Sequence, residues 1–430
     1  MILRSRRVVA PDGVRAATVH IDGERFAHIG EHDEPCDIDY GDLVIMPGLV
    51  DSHVHVNEPG RTEWEGFESA TRAAAAGGVT TIVDMPLNSI PPTTSVEALL
   101  TKAEAMLGKC WVDVGLWGGA VPDNTSHLVP MLREGALGFK CFLVDSGVPE
   151  FGFIGPFVLE AALRAIRDSG APLLVHAELP RYIGSAAGAS YRAYLQSRPP
   201  EAEDAAIDVV CGAAKRSGGR AHIVHLSSAA GLEIIARARD GHVGLTAETT
   251  PHYLHFEAET IPDGAPQFKC APPIREHANR ERLWRGVGDE LFAGIVSDHS
   301  PCAPELKHLG DGDVERAWGG ISSLQFGLPI LWSSGRLTLE RIARLMCEGP
   351  AAIAGIQKGA IRPGFDADLV VWSPEESFVV TPAIVEHRHK ITPYAGERLR
   401  GVVKATYLRG RKVWQDGRTI GSPSGQWIRG

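Results

Sequence analysis

Short apolar runs of five to seven residues recur eight times along the middle of the chain, and helical stretches lie between most of them. In order they are Asp51–His55, Thr80–Met85, Val112–Trp117, Gly138–Leu143, Pro172–Glu178, Ala221–Ser227, Val243–Glu248 and Gly294–His299. Between them, Trp64–Ala76 is alanine-rich and stops at Gly77-Gly78, a C-terminal signal for a helix. Ser95 can cap a helix running to Leu107, with Gly108 after it. Within Phe157–Asp168, the residues Leu159, Ala162, Leu163 and Ile166 have the spacing of one helix face. Strands that alternate with helices are parallel, because each return crossover needs a helix. Eight such units predict an α/β fold of the closed (β/α)8 type, a TIM-like barrel. An open doubly wound sheet is the alternative, but no Gly-x-Gly-x-x-Gly follows a strand to support its nucleotide-binding version.

The two ends read differently. Val14–Ile29 is rich in Val, Thr, Ile and Phe, with turns at Pro11-Asp12-Gly13 and Asp22-Gly23. Ala367–Trp372 and Val402–Leu408 read as strands, and Arg409-Gly410 makes a hairpin into Lys412–Trp414. The expectation is one small β domain built from both termini, residues 1–48 and 360–430, around a barrel at 49–359. Two unrelated tails are the other reading.

Composition removes several classes of function. The chain has 430 residues, 44% of them hydrophobic, enough for a full-sized core. The net charge is -10 and there is no basic run, so nucleic acid is not expected as a partner. No stretch approaches the roughly 20 apolar residues of a membrane helix. Met1–Arg7, with its three arginines, leads into no apolar run long enough for a signal peptide. A cytoplasmic location with no membrane partner is therefore the expectation. The seven cysteines are odd in number and show no C-x-x-C pair, so they read as reduced, mostly buried small hydrophobes.

Chemistry in such a barrel sits at the C-terminal ends of the strands. The first run ends in His53-Val54-His55, and alternation puts both imidazoles on one side. Lys140 lies in the fourth run, His176 near the end of the fifth, His225 in the sixth and Asp298 in the eighth. Each alone has a bland reading: a chance pair, a hydrogen-bonded structural histidine, a snorkelling lysine, a helix cap. Together they fall at one level of the strands, where imidazole and carboxylate can hold divalent cations. The lysine is the informative member. Beside two cations an ammonium is repelled, and burial lowers its pKa further. A neutral amine there can take up carbon dioxide and become a carbamate, whose two oxygens can face one metal each.

These residues closely resemble the cyclic amidohydrolase family, which includes dihydroorotase, hydantoinase (dihydropyrimidinase) and allantoinase. The resemblance runs from about Pro47 to Arg275, resumes over Ser297–Gln325 and includes the strand near Ala367. It implies a (β/α)8 barrel with a β-sandwich from both termini, and two metal ions per chain bridged by an N-carboxylated Lys140. It assigns His53, His55 and Asp298 to one metal, and His176 and His225 to the other. It implies hydrolysis of a cyclic amide by a hydroxide bridging the metals. It makes Asp298 the candidate catalytic general base and then general acid. Zinc, cobalt, nickel or manganese all suit this donor set, with zinc the first choice. A homo-oligomer, dimer or tetramer, is also implied.

Departures within the family help choose the ring. Dihydroorotases have an arginine where this chain has Asn57, and a histidine where it has Cys302. Without them a substrate carboxylate stays unpaired in a desolvated site. Hydantoinases have a tyrosine five residues after the bridging lysine, and here that place is Asp145. The segments Glu58–Arg61, Trp64–Gly66, Met85–Asn88, Gly138–Phe142, Ser297–Cys302 and Ala317–Gly320 are most similar to the allantoinase branch. Allantoin is a neutral small molecule with a ureido arm. Asn57 and Asn88 can offer donor and acceptor groups to that arm, or can merely brace loops. Ala271, in the turn Ala271–Arg275, resembles a family position whose backbone contacts the ring. Arg61 and Arg275 read as salt-bridged structural residues. The loop Pro304–Glu315 is placed near the mouth. Another cyclic amidohydrolase activity is the alternative function. A non-catalytic scaffold of the same fold is a third, and it conflicts with retention of all six ligands.

Overall fold

The computed structural model describes residues 1–186 and 188–430. The chain opens with β1 (Ile2–Ala10), β2 (Gly13–Asp22), β3 (Arg25–Gly30), β4 (Ile38–Asp39) and β5 (Val44–Pro47). The hairpins β1–β2 and β2–β3 turn at the two sites expected from the sequence. β1 has no clear signature in the sequence, for a physical reason. A register shift between Ser5 and Val8 breaks the alternation, so its buried residues do not follow a period of two.

The barrel follows: β6 (Leu49–Val54), β7 (Val79–Asp84), β8 (Asp113–Leu116), β9 (Gly118–Gly119), β10 (Phe139–Phe142), β11 (Pro172–His176), β12 (Arg220–Ile223), β13 (Leu245–Thr249) and β14 (Gly294–Ile295). All pairings among them are parallel. β8 and β9 are two halves of one stave that bends at Trp117. β8 pairs with β7, and β9 pairs with β10. A bridge between Val54 and His299 closes the ring. β6, β7, β8 and β10 are buried along their whole length, as parallel strands covered on both faces must be. The (β/α)8 barrel expected from the alternation is therefore the fold.

The crossover helices follow local signals. Ser95 accepts a hydrogen bond from the Ala98 amide at 3.2 Å and caps Val96–Ala105, an interaction worth about 1 kcal/mol. The helix Pro156–Ile166 buries Leu159, Ala162, Leu163 and Ile166, the face read from their spacing. The helix expected from Trp64 begins at Phe67, after Gly66 in a left-handed conformation (φ 94°). Trp64 instead packs edge-on against Trp318 with ring centroids 4.8 Å apart.

The chain ends with β15 (Leu369–Val379), β16 (Arg398–Leu408), β17 (Arg411–Gln415), β18 (Arg418–Thr419) and β19 (Trp427–Ile428). Both termini share one mixed sheet, in the order β18-β17-β16-β15-β5-β1-β2-β3. Its central join is β5 against β15, antiparallel, from Val44↔Trp372 to Pro47↔Leu369. The far edge curls back: the Phe26 amide donates to the Phe365 carbonyl, and the Gly364 amide to the Phe26 carbonyl, both at 2.9 Å. The sheet thus encloses its own core of Leu3, Val19, Ile45, Leu369, Val371 and Tyr407, the β-sandwich. β19 leaves that unit and pairs in parallel with β8 of the barrel.

A buried charge cluster fastens barrel to sandwich. Lys358 Nζ lies 2.8 Å from Asp113 of β8 and 2.7 Å from Asp368 at the start of β15. Arg409 also pairs with Asp113, which in addition accepts the Gln426 amide at 2.8 Å. All seven cysteines are free, and all but Cys36 and Cys211 are buried. Among the described residues, no helix is long and apolar enough to cross a membrane.

Candidate metal centre

His53 lies near the end of β6, and His55 just beyond it, with ring centroids 5.5 Å apart. Both rings turn Nε2 to the same oxygen: Asp298 Oδ1 is 3.1 Å from His53 and 3.5 Å from His55. Asp298 follows β14 and adopts a left-handed backbone (φ 46°), which aims its carboxylate inward. Opposite, His176 at the end of β11 and His225 just past β12 bring Nδ1 and Nε2 to 3.1 Å. His225 is also left-handed (φ 39°), and its ring centroid is 5.4 Å from that of His53. Lys140 comes up from β10, 1% exposed, with Nζ 4.7 Å from the centre of the Phe142 ring. All six side chains line one cavity of about 400 Å³.

Charge in this cavity is arranged by burial and proximity. Burial pushes His55 down to about 4 and drives His225 well below the ordinary imidazole value. It also lowers His176. Burial works the same way on His53, but Asp298 and Glu248 outweigh it and raise that ring to about 9. Asp298 is penalised by burial yet held well below the usual carboxylate range by His53 and His55. Burial lowers Lys140 to about 8, against the pull of Asp298 and Glu248.

This donor set fits divalent cations. His53 Nε2 is buried and close to Asp298, yet its alignment makes no hydrogen bond. Nitrogens and oxygens that crowd together without mutual hydrogen bonds are what a shared ligand sphere looks like without its ion. His53, His55 and Asp298 each offer one atom within 4.8 Å of the others. Three imidazoles kept neutral by burial and one ionised carboxylate are ligands of the right protonation state.

A second layer orients these ligands. His53 Nδ1 lies 2.7 Å from Glu248 Oε1, and Glu248 Oε2 lies 3.1 Å from His222 Nε2. His222 Nδ1 continues to Thr246 Oγ1 at 2.7 Å. His176 Nε2 lies 2.7 Å from Glu178, which also accepts from Arg198 at 2.6 Å. Glu248 and Glu178 are not among the residues expected from sequence, although both stand at barrel strand ends, the one signal that marks the others. Lys102, wholly buried, binds Asp84 at 2.6 Å, and Asp84 accepts the Val56 amide at 2.7 Å. That contact fixes the loop after His55.

The remaining expected residues divide. Asn88 and Ala271 line the cavity, and Asn88 Nδ2 lies 3.5 Å from His55 Nδ1. Asn57 turns away: its Nδ2 donates to the Pro301 carbonyl at 3.1 Å, the geometry of a loop brace, and it is not among the described lining residues. Arg61 pairs with Glu150 and donates to the Asn88 carbonyl, while Arg275 pairs with buried Glu203 at 3.2 Å. The segment 304–320 reaches the mouth, where Glu315, Arg316, Ala317 and Trp318 line the cavity. Two lysines stitch it down. Lys269 Nζ donates to the Glu315 and Ala317 carbonyls, and Lys307 Nζ to those of Trp318 and Gly320. Gly320 is left-handed (φ 146°), and a side chain there would collide with the Ser300 carbonyl.

A barrel whose strand ends gather imidazoles, a lysine and an aspartate matches a known family. A sequence profile of the amidohydrolase family covers residues 44–413, and the chain belongs to that family. Within it, an allantoinase of Streptomyces avermitilis is 48% identical over 97% of this chain and 96% of its own length. An allantoinase of Saccharomyces cerevisiae is 44% identical over 93% of this chain and 88% of its own. Among solved structures, the L-hydantoinase (dihydropyrimidinase) of Arthrobacter aurescens superposes with a TM-score of 0.93 at 30% identity, over 100% of this chain and 99% of that one. Family and donor cluster together mark the protein as a hydrolase that uses divalent metal.

Proposed function

We propose that the protein is an allantoinase, opening the hydantoin ring of allantoin to give allantoate. The observation that carries this reading is the single cavity on which His53, His55, Lys140, His176, His225 and Asp298 converge. His53, His55 and Asp298 would hold one divalent cation, His176 and His225 a second, with Lys140 as its carbamate between them. Bound there, the cations supply an acidified water and polarise a ring carbonyl. Asp298, ionised and facing the same space, takes the proton of the attacking water and returns it to the ring nitrogen as the C–N bond breaks. The new C–O bond makes the carboxylate of the product. The low pKa of buried Lys140 supports carbamate formation, since only the free amine adds carbon dioxide.

The charge inventory of the mouth supports a neutral substrate. Among the described lining residues, Arg198 is committed to Glu178, and Lys269 to two backbone carbonyls. Arg316 is exposed at the rim, 3.9 Å from Asp311. With Lys140 as its carbamate, no buried lysine or arginine among the described lining residues is free to receive a substrate carboxylate such as that of dihydroorotate. Asn88 and the backbone at Ala271 are proposed to meet the ureido arm and the ring, with Asn57 bracing the loop behind them.

Zinc is the proposed metal, a homo-oligomer the proposed assembly and the cytoplasm the proposed location. The barrel is assigned to 49–359 and the sandwich to 1–48 and 360–430. A competition assay of allantoin, hydantoin, dihydrouracil and dihydroorotate tests the substrate. Allantoin is expected to have the highest kcat/KM, and clear preference for dihydroorotate or dihydrouracil ends this reading. The fold match to a hydantoinase favours hydantoin as the second reading, which the same assay separates.

A further inference from the structure

The terminal sheet carries a second cluster of metal-binding side chains, outside the barrel cavity. His20 of β2 and His28 of β3 are direct cross-strand partners in the antiparallel register. Their rings stack, with centroids 4.0 Å apart and planes 20° apart. Glu34, on the loop after β3, places Oε2 2.9 Å from His20 Nε2. Each of the three residues offers a ligand atom within 4.8 Å of the other two.

The carboxylate is held in place before any ligand arrives. Its Oε1 accepts the Glu31 amide at 2.8 Å, which leaves Oε2 to point at the imidazole. Gly30 makes the room: a Cβ there would stand 2.5 Å from Glu34 Oε1 and 2.7 Å from Oε2. Thr18 Oγ1 lies 3.1 Å from His20 Nε2 and donates to the Glu31 carbonyl, so a further oxygen stands on the same side. The stretch Glu31–Asp39 holds five carboxylates and no lysine or arginine, and among the described residues only Asp39 of these pairs with a lysine or arginine, Arg4. The local field therefore favours cations. His20 and Glu34 are half-shielded and His28 is exposed, so an ion can enter from solvent and keep waters on its open side.

We propose that His20, His28 and Glu34 form a surface site for a divalent transition-metal ion of the zinc, nickel or copper class, separate from the barrel centre. Two imidazoles and one carboxylate select such ions over calcium or magnesium, which take oxygen ligands. Bound there, the ion clamps the loop after β3 onto the hairpin β2–β3. This inference stands whether or not the barrel cavity turns over allantoin.

The test uses the full chain with its barrel centre already loaded with zinc. Equilibrium dialysis against micromolar zinc, with metal counted by mass spectrometry, is expected to show about one further equivalent per chain. His28→Ala is expected to weaken that equivalent by more than the roughly 100-fold that loss of a mere supporting residue costs at most, with hydrolysis unchanged. Glu34→Gln, which keeps the shape and removes the charge, is the second variant and is expected to behave alike. Absence of the extra equivalent in the parent protein overturns the proposal. So does an extra equivalent that either variant retains in full.

Discussion

Glu248 Oε1 sits 2.7 Å from His53 Nδ1, and both side chains are completely buried. The contact decides which nitrogen of His53 faces the cavity. Nδ1–H donates to Glu248, so Nε2 is the end left facing Asp298 and the one that would turn its lone pair to a bound cation once its own proton is displaced. Glu248→Gln keeps the volume but removes the charge that favours this tautomer. Metal affinity is expected to fall by about 10–100-fold, with activity returning at excess zinc. Metal content after dialysis, set beside a zinc titration of activity, checks it. Unchanged retention of metal would show that His53 needs no such partner.

Lys140→Ala removes the proposed bridge while leaving a small void at the floor of the cavity. Hydrolysis is expected to fall at least about 100-fold, the scale on which a single electrostatic group acts in a closed site. Bound metal is expected to fall with it. In the parent enzyme, growth in ¹³C-bicarbonate is expected to give a carbamate carbonyl signal by NMR that the variant lacks. Full activity in the variant contradicts the bridging role.

Asp298→Asn retains the shape and one oxygen donor but cannot shuttle a proton. A loss of about 10²–10⁴-fold in kcat is expected, the range for removing a general base. A variant that binds metal normally and still turns over at the parent rate would assign the proton transfer elsewhere.

Lys358 offers a prediction about stability alone. It is buried against Asp113 and Asp368, and burial is opposed by those carboxylates, which hold its pKa above the ordinary lysine value. Lys358→Met leaves buried Asp368 without its ammonium partner and Asp113 with Arg409 as its remaining cation. The expected cost is about 3–5 kcal/mol, the range for removing one partner of a buried pair. Urea unfolding of the zinc-loaded protein measures it. Because Arg409 still contacts Asp113 in that variant, a double variant with Arg409→Met, which strips Asp113 of both cations, is expected to lose more than the sum of the two.

Much of the barrel was legible because its strands are covered on both faces, so each reads as a compact apolar run. The six side chains around the cavity were legible for the same reason: a polar residue at the end of such a run must point into the mouth or disrupt a wall. What escaped has other causes. The side chain of Asn57 points to Pro301 because its own backbone is left-handed (φ 66°), and a lone asparagine does not announce that. β1 was hidden by its bulge, and β19 by being two residues long. The join of Asp113 to Lys358 spans 245 positions, and no local pattern encodes it. Glu248 was in view at the end of the seventh run. A carboxylate that serves another ligand carries the same signature in sequence as one that caps a loop.

The pairing of β5 with β15 has a consequence for how the chain matures. Val44–Pro47 emerges from the ribosome early, but half of its hydrogen-bonding edge is completed only by Leu369–Trp372. Throughout synthesis of the intervening barrel, that hydrophobic ribbon stands open to any passing strand. Nascent chains stalled before residue 369 should therefore engage chaperones or clump, whereas full-length chains, with β15 and β16 in place, should not.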